Sequence, residues 1–99
     1  MTLIRSNKLP VKHAGLIFNE RILIEHEISQ TDAAKSLHMS RKQVSLFANG
    51  KVSVSVSLAK KLETSTGISA GFWLNIQKSY DLYITRNEIV EAEPMYRFG

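Results

Sequence analysis

The chain has 99 residues, 43% of them hydrophobic, no cysteine and a formal net charge of +4. That length allows one small domain with one core, and the lack of cysteine excludes disulfides and thiolate metal sites. No stretch approaches a membrane span, and the opening MTLIRSNKLPVK lacks the apolar run of a signal peptide, so a reducing cytoplasm is the expected compartment.

Residues 1–12 read as a basic N-terminal arm carrying Arg5, Lys8 and Lys12. Residues 14–28, AGLIFNERILIEHEI, set Ile17, Phe18, Ile22, Leu23 and Ile24 among Glu20, Arg21 and Glu25, the broad apolar stripe of an amphipathic helix. Ser29 followed by Asp32 has the form of a capping box, and a short helix Gln30–Leu37 fits behind it. Ser40 with Gln43 repeats the device, predicting a helix through Ala48 that Gly50 ends in the left-handed conformation.

The stretch FANGKVSVSVSL admits two readings. Asn49-Gly50 is a hairpin signal, and Val52, Val54 and Val56 alternate with Ser53, Ser55 and Ser57 as in a half-buried strand. That hairpin would be a lone strand pair in a helical chain, which is marginal in water. The Ser40–Gln43 cap also sends a helix straight into Asn49-Gly50. Residues 51–54 are therefore expected as an extended connection, with Ser55 capping the next helix and Val54 as its apolar neighbour. Leu58, Ala59 and Leu62 carry that helix to Gly67. Ser69 opens the last one, whose stripe is Phe72, Trp73, Ile76, Tyr80 and Tyr83; the pattern fades beyond Arg86. Pro10 and Pro94 fall in the tails. The expected architecture is all-α with five helices, a domain over residues 13–85 and a C-terminal tail over 86–99.

Residues 29–54 carry Lys35, Arg41, Lys42 and Lys51 against Asp32 alone, while the end carries Glu88, Glu91 and Glu93. This suits one face for nucleic acid and another for a second partner; it also suits scatter on a solvated surface. The turn Leu37-His38-Met39-Ser40 joins two short helices into a helix-turn-helix unit. Ala34 is small where the helices touch, Leu37, Val44 and Phe47 fall at its packing positions, and Gln30 stands where it can donate to a phosphate. The second helix of such a unit lies in the major groove with its N-terminal residues at the base edges.

QTDAAKSLHMSRKQVSLFANGK resembles the helix-turn-helix of the lambda-repressor/Cro (Xre) class. KHAGLIFNERI, ISQTDAAKSLHMSRKQVSLFANG and LAKKLETSTGISAGFWLNIQKSYDL together are similar to HigA-type antitoxins of bacterial toxin–antitoxin modules, and GISAGFWLNIQKSYDL is the most specific part. The resemblance implies a lambda-repressor-like domain. Three departures stand out: His38 where the family usually has glycine in the turn, Ala14 for the usual proline after His13, and Leu46 for a polar group facing DNA.

The family's binding mode implies that Arg41, Lys42, Ser45 and Leu46 face the groove. Arg41 and Lys42 would donate to guanine O6 and N7, and Leu46 would touch a thymine methyl. Ser29, Gln30, Ser40, Asn49 and Lys51 would position phosphates. Gln43 joins them, reads adenine, or simply closes the cap. The plain alternative for Arg41 and Lys42 is the solvated end of a surface helix. No catalytic or metal site is expected: His13, His26 and His38 lack metal-ligand spacing, Ser53, Ser55 and Ser57 lack a nearby base, and no phosphate-cradling glycine loop is present. No cofactor and no enzymatic activity are expected.

The resulting expectation is a homodimer that binds double-stranded operator DNA and represses its own promoter. Trp73, Ile76, Tyr80 and Tyr83 exceed what a small core needs and are expected at the subunit contact. The resemblance further implies a HigB (RelE-like) mRNA-cleaving toxin as partner. Such a toxin is basic because it binds RNA, so Glu20, Glu25 and Glu27 are the expected anchor, with the acidic tail adding to it. The competing expectations are a stand-alone Xre regulator of phage or plasmid origin and a protein-interaction module without DNA binding.

Overall fold

The computed structural model describes residues 11–97, so Arg5, Lys8 and Pro10 lie outside the described residues. Helix α1 begins as an α-helix over Ala14–Ile17 and widens to a π-helix over Phe18–Ile24. Then follow α2 (Gln30–Leu37), α3 (Arg41–Ala48), α4 (Val56–Thr66) and α5 (Ala70–Ile84). Among the described residues there is no strand, and the connection from residue 51 to Ser55 is irregular, with Val54 turned into the core. The helical reading of FANGKVSVSVSL therefore holds.

Serine caps set four of the five starts. Ser29, Ser40, Ser55 and Ser69 accept the backbone N–H three residues on, from Asp32 (3.0 Å), Gln43 (3.1 Å), Leu58 (3.1 Å) and Phe72 (3.1 Å). Each such cap contributes about 1 kcal/mol. Only Ser40 completes a capping box, its N–H donating to Gln43 Oε1 at 2.9 Å. The box expected at Ser29 is a single cap: the Asp32 side chain is one methylene shorter than that of Gln or Glu.

The first helix departs further from expectation. Its bonds lengthen to i→i+5, as from the Glu25 N–H to Glu20 O (3.3 Å), and its helical run stops at Ile24 rather than residue 28. Wider turns align residues five apart, so Phe18 and Leu23 are buried while Ile24, expected in the stripe, is 63% exposed. Glu27 closes the helix at a φ of 54°, with the Ile28 N–H on Leu23 O at 2.8 Å. His38 stops α2 in the same way at a φ of 55°, with the Met39 N–H on Ala34 O at 3.0 Å. Both are Schellman closures built on residues with side chains, where glycine is the usual choice.

The core is aromatic. Phe18 packs on Phe47 (ring centroids 5.3 Å apart) and edge-on to Trp73 (6.3 Å), with Val44 and Leu62 buried around them. Trp73, expected at the subunit contact, is 0% exposed and belongs wholly to this core, because the first turns of α5 sit directly over Phe18. Helix α1 meets the end of α3 so closely that a Cβ on Gly15 would lie 1.6 Å from the Phe47 carbonyl oxygen.

His13 caps α1, its Nδ1 accepting the Gly15 N–H at 2.8 Å. The buried ring stands edge-on to Phe47 (6.2 Å) and Tyr80 (5.3 Å). Burial lowers its pKa below the usual 6.5, against the opposing pull of the Asp81 carboxylate and a hydrogen bond with the Val52 backbone. Between the lowered value and 6.5 the unfolded chain binds the proton and the folded chain does not. The contribution of His13 is therefore complete above pH 6.5 and lost as the pH falls through that window. Denaturant midpoints measured from about pH 7.5 downward should fall from about pH 6.5. His13→Asn, which keeps a capping oxygen but cannot titrate, should be less stable at neutral pH and show a flatter profile there; an equal slope in the two proteins would exclude His13 as the source.

Candidate nucleic-acid interface

Helix α3 is anchored by one face. Val44, Phe47 and Ala48 are buried, in the same core cluster as Ala34 and Leu37 of α2. Spacing of four then leaves Arg41, Ser45 and Asn49 along a second stripe, with Lys42 and Leu46 beside it. Arg41 and Lys42 are exposed at the N-terminal end; Ser45 and Leu46 are half-buried. Among the described residues neither Arg41, Lys42 nor Lys51 has an ion-pair partner, whereas Lys12 and Arg21 each face a carboxylate.

Around this stripe the polar groups are already engaged. Ser29 and Ser40 cap α2 and α3, and Gln43 uses its Oε1 to close the Ser40 box, leaving only its Nε2 to reach outward. Asn49 turns its amide inward, Nδ2 donating to the Ser45 carbonyl (2.8 Å) and to Ser45 Oγ (3.3 Å). Gln30 is half-buried at the start of α2. Lys51 follows the left-handed Gly50 (φ 73°), its N–H closing on Leu46 O at 2.8 Å, and its side chain is exposed.

The residues expected to meet a second protein separate into two regions. Glu20 is held by Lys12, both carboxylate oxygens 2.9 Å from Nζ, and Glu25 lies 3.8 Å from Arg21. The acidic face of α1 is thus partly neutralised, with Glu27 exposed at its end. Beside it a cleft of about 440 Å³ runs between α1 and the start of α5, lined by Ile17, Glu20, Ile68 and the half-exposed Phe72. At the other end of α5, Ile76 and Tyr80 are half-buried and Tyr83 is exposed beneath the Arg86 guanidinium, 4.0 Å from the ring centroid. Leu82 and Ile84 are also exposed there, as are Ile89 and Val90 after the helix.

Sequence reasoning missed several of these roles. His13 is not one of the usual capping residue types, and its role as the N-cap of α1 shows only in the folded chain. Gln77 is buried, its Nε2 donating to Asp81 at 3.1 Å and its Oε1 accepting the Val54 N–H at 3.4 Å; nothing in the local pattern marks it.

A family profile described as helix-turn-helix matches residues 20–73. The chain is 38% identical over 87 residues to antitoxin HigA-1 of Vibrio cholerae, covering 88% of this chain and 81% of that one. It is 29% identical over 82 residues to virulence-associated protein I of Dichelobacter nodosus, covering 83% of this chain and 76% of that one. Its fold is similar to that of the Pseudomonas aeruginosa antitoxin HigA solved with the higBA promoter, at a TM-score of 0.75 and 27% identity, covering 88% of this chain and 100% of that one. A chain that matches the helix-turn-helix profile over its centre and a HigA antitoxin over most of its length, with the same five-helix fold, belongs to the helix-turn-helix family and within it to the HigA antitoxins.

Proposed function

We propose that this protein is a homodimeric antitoxin of the bacterial cytoplasm that binds operator DNA, represses its own operon and neutralises a HigB (RelE-like) mRNA-cleaving toxin. One observation carries the DNA reading: α3 is fixed by a buried face and offers Arg41 and Lys42, exposed and without an ion-pair partner among the described residues, at its N-terminal end. Cations held ready on a rigid helix meet phosphates and guanine edges without first breaking an internal pair. The relative solved with its promoter supports the same reading.

Arg41→Ala with Lys42→Ala should keep the fold and abolish preference for the operator, since each good base contact supplies about 1–3 kcal/mol of discrimination. Lys51→Ala should weaken binding to all sequences alike and reduce the salt slope by about 0.9. Band-shift titrations on operator and random DNA at several salt concentrations measure both effects. Unchanged specificity in the double variant would rule out α3 as the reading helix.

One helix-turn-helix reads few base pairs, so adequate specificity calls for two copies on a two-fold site. The exposed end of α5, with Leu82, Tyr83 and Ile84, is the surface that supports this assembly; Tyr80 contributes less because its ring leans on His13. Leu82→Glu with Tyr83→Glu should give a folded monomer by light scattering that binds a full operator poorly. A wild-type protein that is monomeric at micromolar concentration and still occupies a whole operator would refute dimeric reading.

The toxin is assigned to α1, where Glu20 lines the apolar cleft that Phe72 borders and the exposed Glu25 and Glu27 follow it along the chain. Because Lys12 and Arg21 offset two of these charges, the cleft supplies part of the contact and salt weakens the complex only moderately. Glu20→Lys with Glu25→Lys should slow capture of the small basic protein encoded beside the gene while leaving operator binding intact. If the reversals change nothing and the Arg41/Lys42 double variant loses the toxin, the toxin occupies the DNA face instead. A wild-type protein that captures no such neighbour would favour a stand-alone regulator.

A further inference from the structure

Burying an amide is costly unless it is hydrogen-bonded, so a glutamine sealed inside a domain this small calls for a reason. Gln77 of α5 is 3% exposed. Its Nε2 donates to Asp81 Oδ1 at 3.1 Å, which sets the orientation of the amide. Its Oε1 accepts the Val54 N–H, 23 residues earlier in the chain, at 3.4 Å. Val54 stands near the end of the connection between α3 and α4, and its side chain is buried in the core. The start of that connection is held as well. The His13 ring packs against Gly50, where an added Cβ would lie 3.6 Å from the imidazole Cγ, and it bonds to the Val52 backbone. The Lys51 N–H closes on Leu46 O at 2.8 Å. Between these anchors the side chains of Lys51 and Ser53 are exposed. We propose that Gln77 is a positioning residue for DNA binding: by holding the Val54 N–H it fixes the far end of the connection that carries Lys51, so that this lysine meets the phosphate backbone in register with α3.

The inference deepens the DNA-binding proposal and rests on it. Val54 lies three residues after Lys51, a reach of about 10 Å when extended. A connection released at Val54 takes other paths across that distance, and ordering it again on DNA costs conformational entropy. With the Val54 N–H bonded and its side chain in the core, that ordering is complete on folding. A lysine on a phosphate positions the duplex but carries no sequence information. Loss of the Gln77 bond should therefore reduce affinity for all DNA alike, a signature different from that of Arg41 and Lys42. A glutamine that serves the fold alone would lower the melting temperature and leave the salt dependence of DNA binding unchanged.

The test titrates the full-length protein by band shift on operator and random DNA at several salt concentrations. The wild type is compared with Lys51→Ala, Gln77→Leu, the two changes combined, and Gln77→Glu with Asp81→Asn. Gln77→Leu removes both bonds of the amide and no charge. It should bind operator and random DNA more weakly by one common factor, with a salt slope lower by about 0.9, as in Lys51→Ala. Adding Lys51→Ala to it should lower the slope no further, because both changes remove the same contact. Gln77→Glu with Asp81→Asn exchanges donor and acceptor between the two side chains, keeps an oxygen for the Val54 N–H and leaves the net charge unchanged. It should restore the wild-type slope. Hydrogen exchange should show the Val54 amide opening faster in Gln77→Leu while the amides of α3 keep their protection. A wild-type slope in Gln77→Leu would overturn the inference. So would slope losses that add in the combined variant, or an exchanged pair that folds and keeps the lowered slope. If circular dichroism shows Gln77→Leu and the exchanged pair both unfolded, Gln77 serves the fold alone and the inference is overturned. A wild type that prefers an operator, with a slope that Lys51→Ala leaves unchanged, would overturn this inference and spare the DNA-binding proposal. A wild type that prefers no operator sequence would refute that proposal, and this inference with it.

Discussion

The neutral imidazole of His13 sits where the separate parts of the domain meet. It caps α1 through Gly15, leans on Phe47 at the end of α3, and lies edge-on to Tyr80 of α5. The capping role needs a bare Nδ1 lone pair, and burial keeps that lone pair free. Gly15 beside it lets α1 press against the Phe47 carbonyl, where any side chain would collide. This contact places the end of α3 against α1, while its buried face packs with α2 in the core. A shift here would move the whole Arg41–Ser45–Asn49 stripe.

The same economy governs the polar surface. Serine, glutamine and asparagine side chains around α3 first satisfy helix ends and then face outward with whatever hydrogen-bonding capacity remains. That order matters for recognition. Cations contribute binding energy to any phosphate, but a hydroxyl or amide discriminates between bases only if its donor and acceptor sides are fixed. Capping at Ser40 holds the start of the helix, and the Asn49 amide folds back onto Ser45 at its end. The two devices use short-range geometry to prepare a long-range function.

Charge is distributed to match. The acids of α1 are partly paired with Lys12 and Arg21, whereas Arg41, Lys42 and Lys51 have no such pairing among the described residues. Pairing on one face and its absence on another make a modest net charge directional, a property that the sum of +4 does not express. The apolar side chains exposed toward the end of α5 and in the following segment give the molecule a third region, distinct in chemistry from the other two.

Local rules sufficed for much of this. Serines placed three residues before Asp32, Gln43, Leu58 and Phe72 determined four helix starts, and Gly50 and Gly67 determined two ends, because capping acts over a single turn. They also decided against a hairpin in FANGKVSVSVSL. What the sequence alone left undecided depends on contacts between distant residues or on a change of helical pitch. Ile24 looked buried because regular spacing was assumed, and the π-helical turns rotated it to solvent. Trp73 looked like a surface contact because aromatic residues are alike in the sequence; the crossing of α1 over α5 put it in the core. Ser45 was singled out by the resemblance, but its contact with the Asn49 amide is made only when α3 brings Asn49 back over it one turn later. Periodicity and capping fix where helices begin and which residues are apolar, since those are properties of neighbours in the chain. Which apolar side chain is sealed, which acid is paired and which polar group is engaged are decided by packing, since those depend on what the folded chain places alongside.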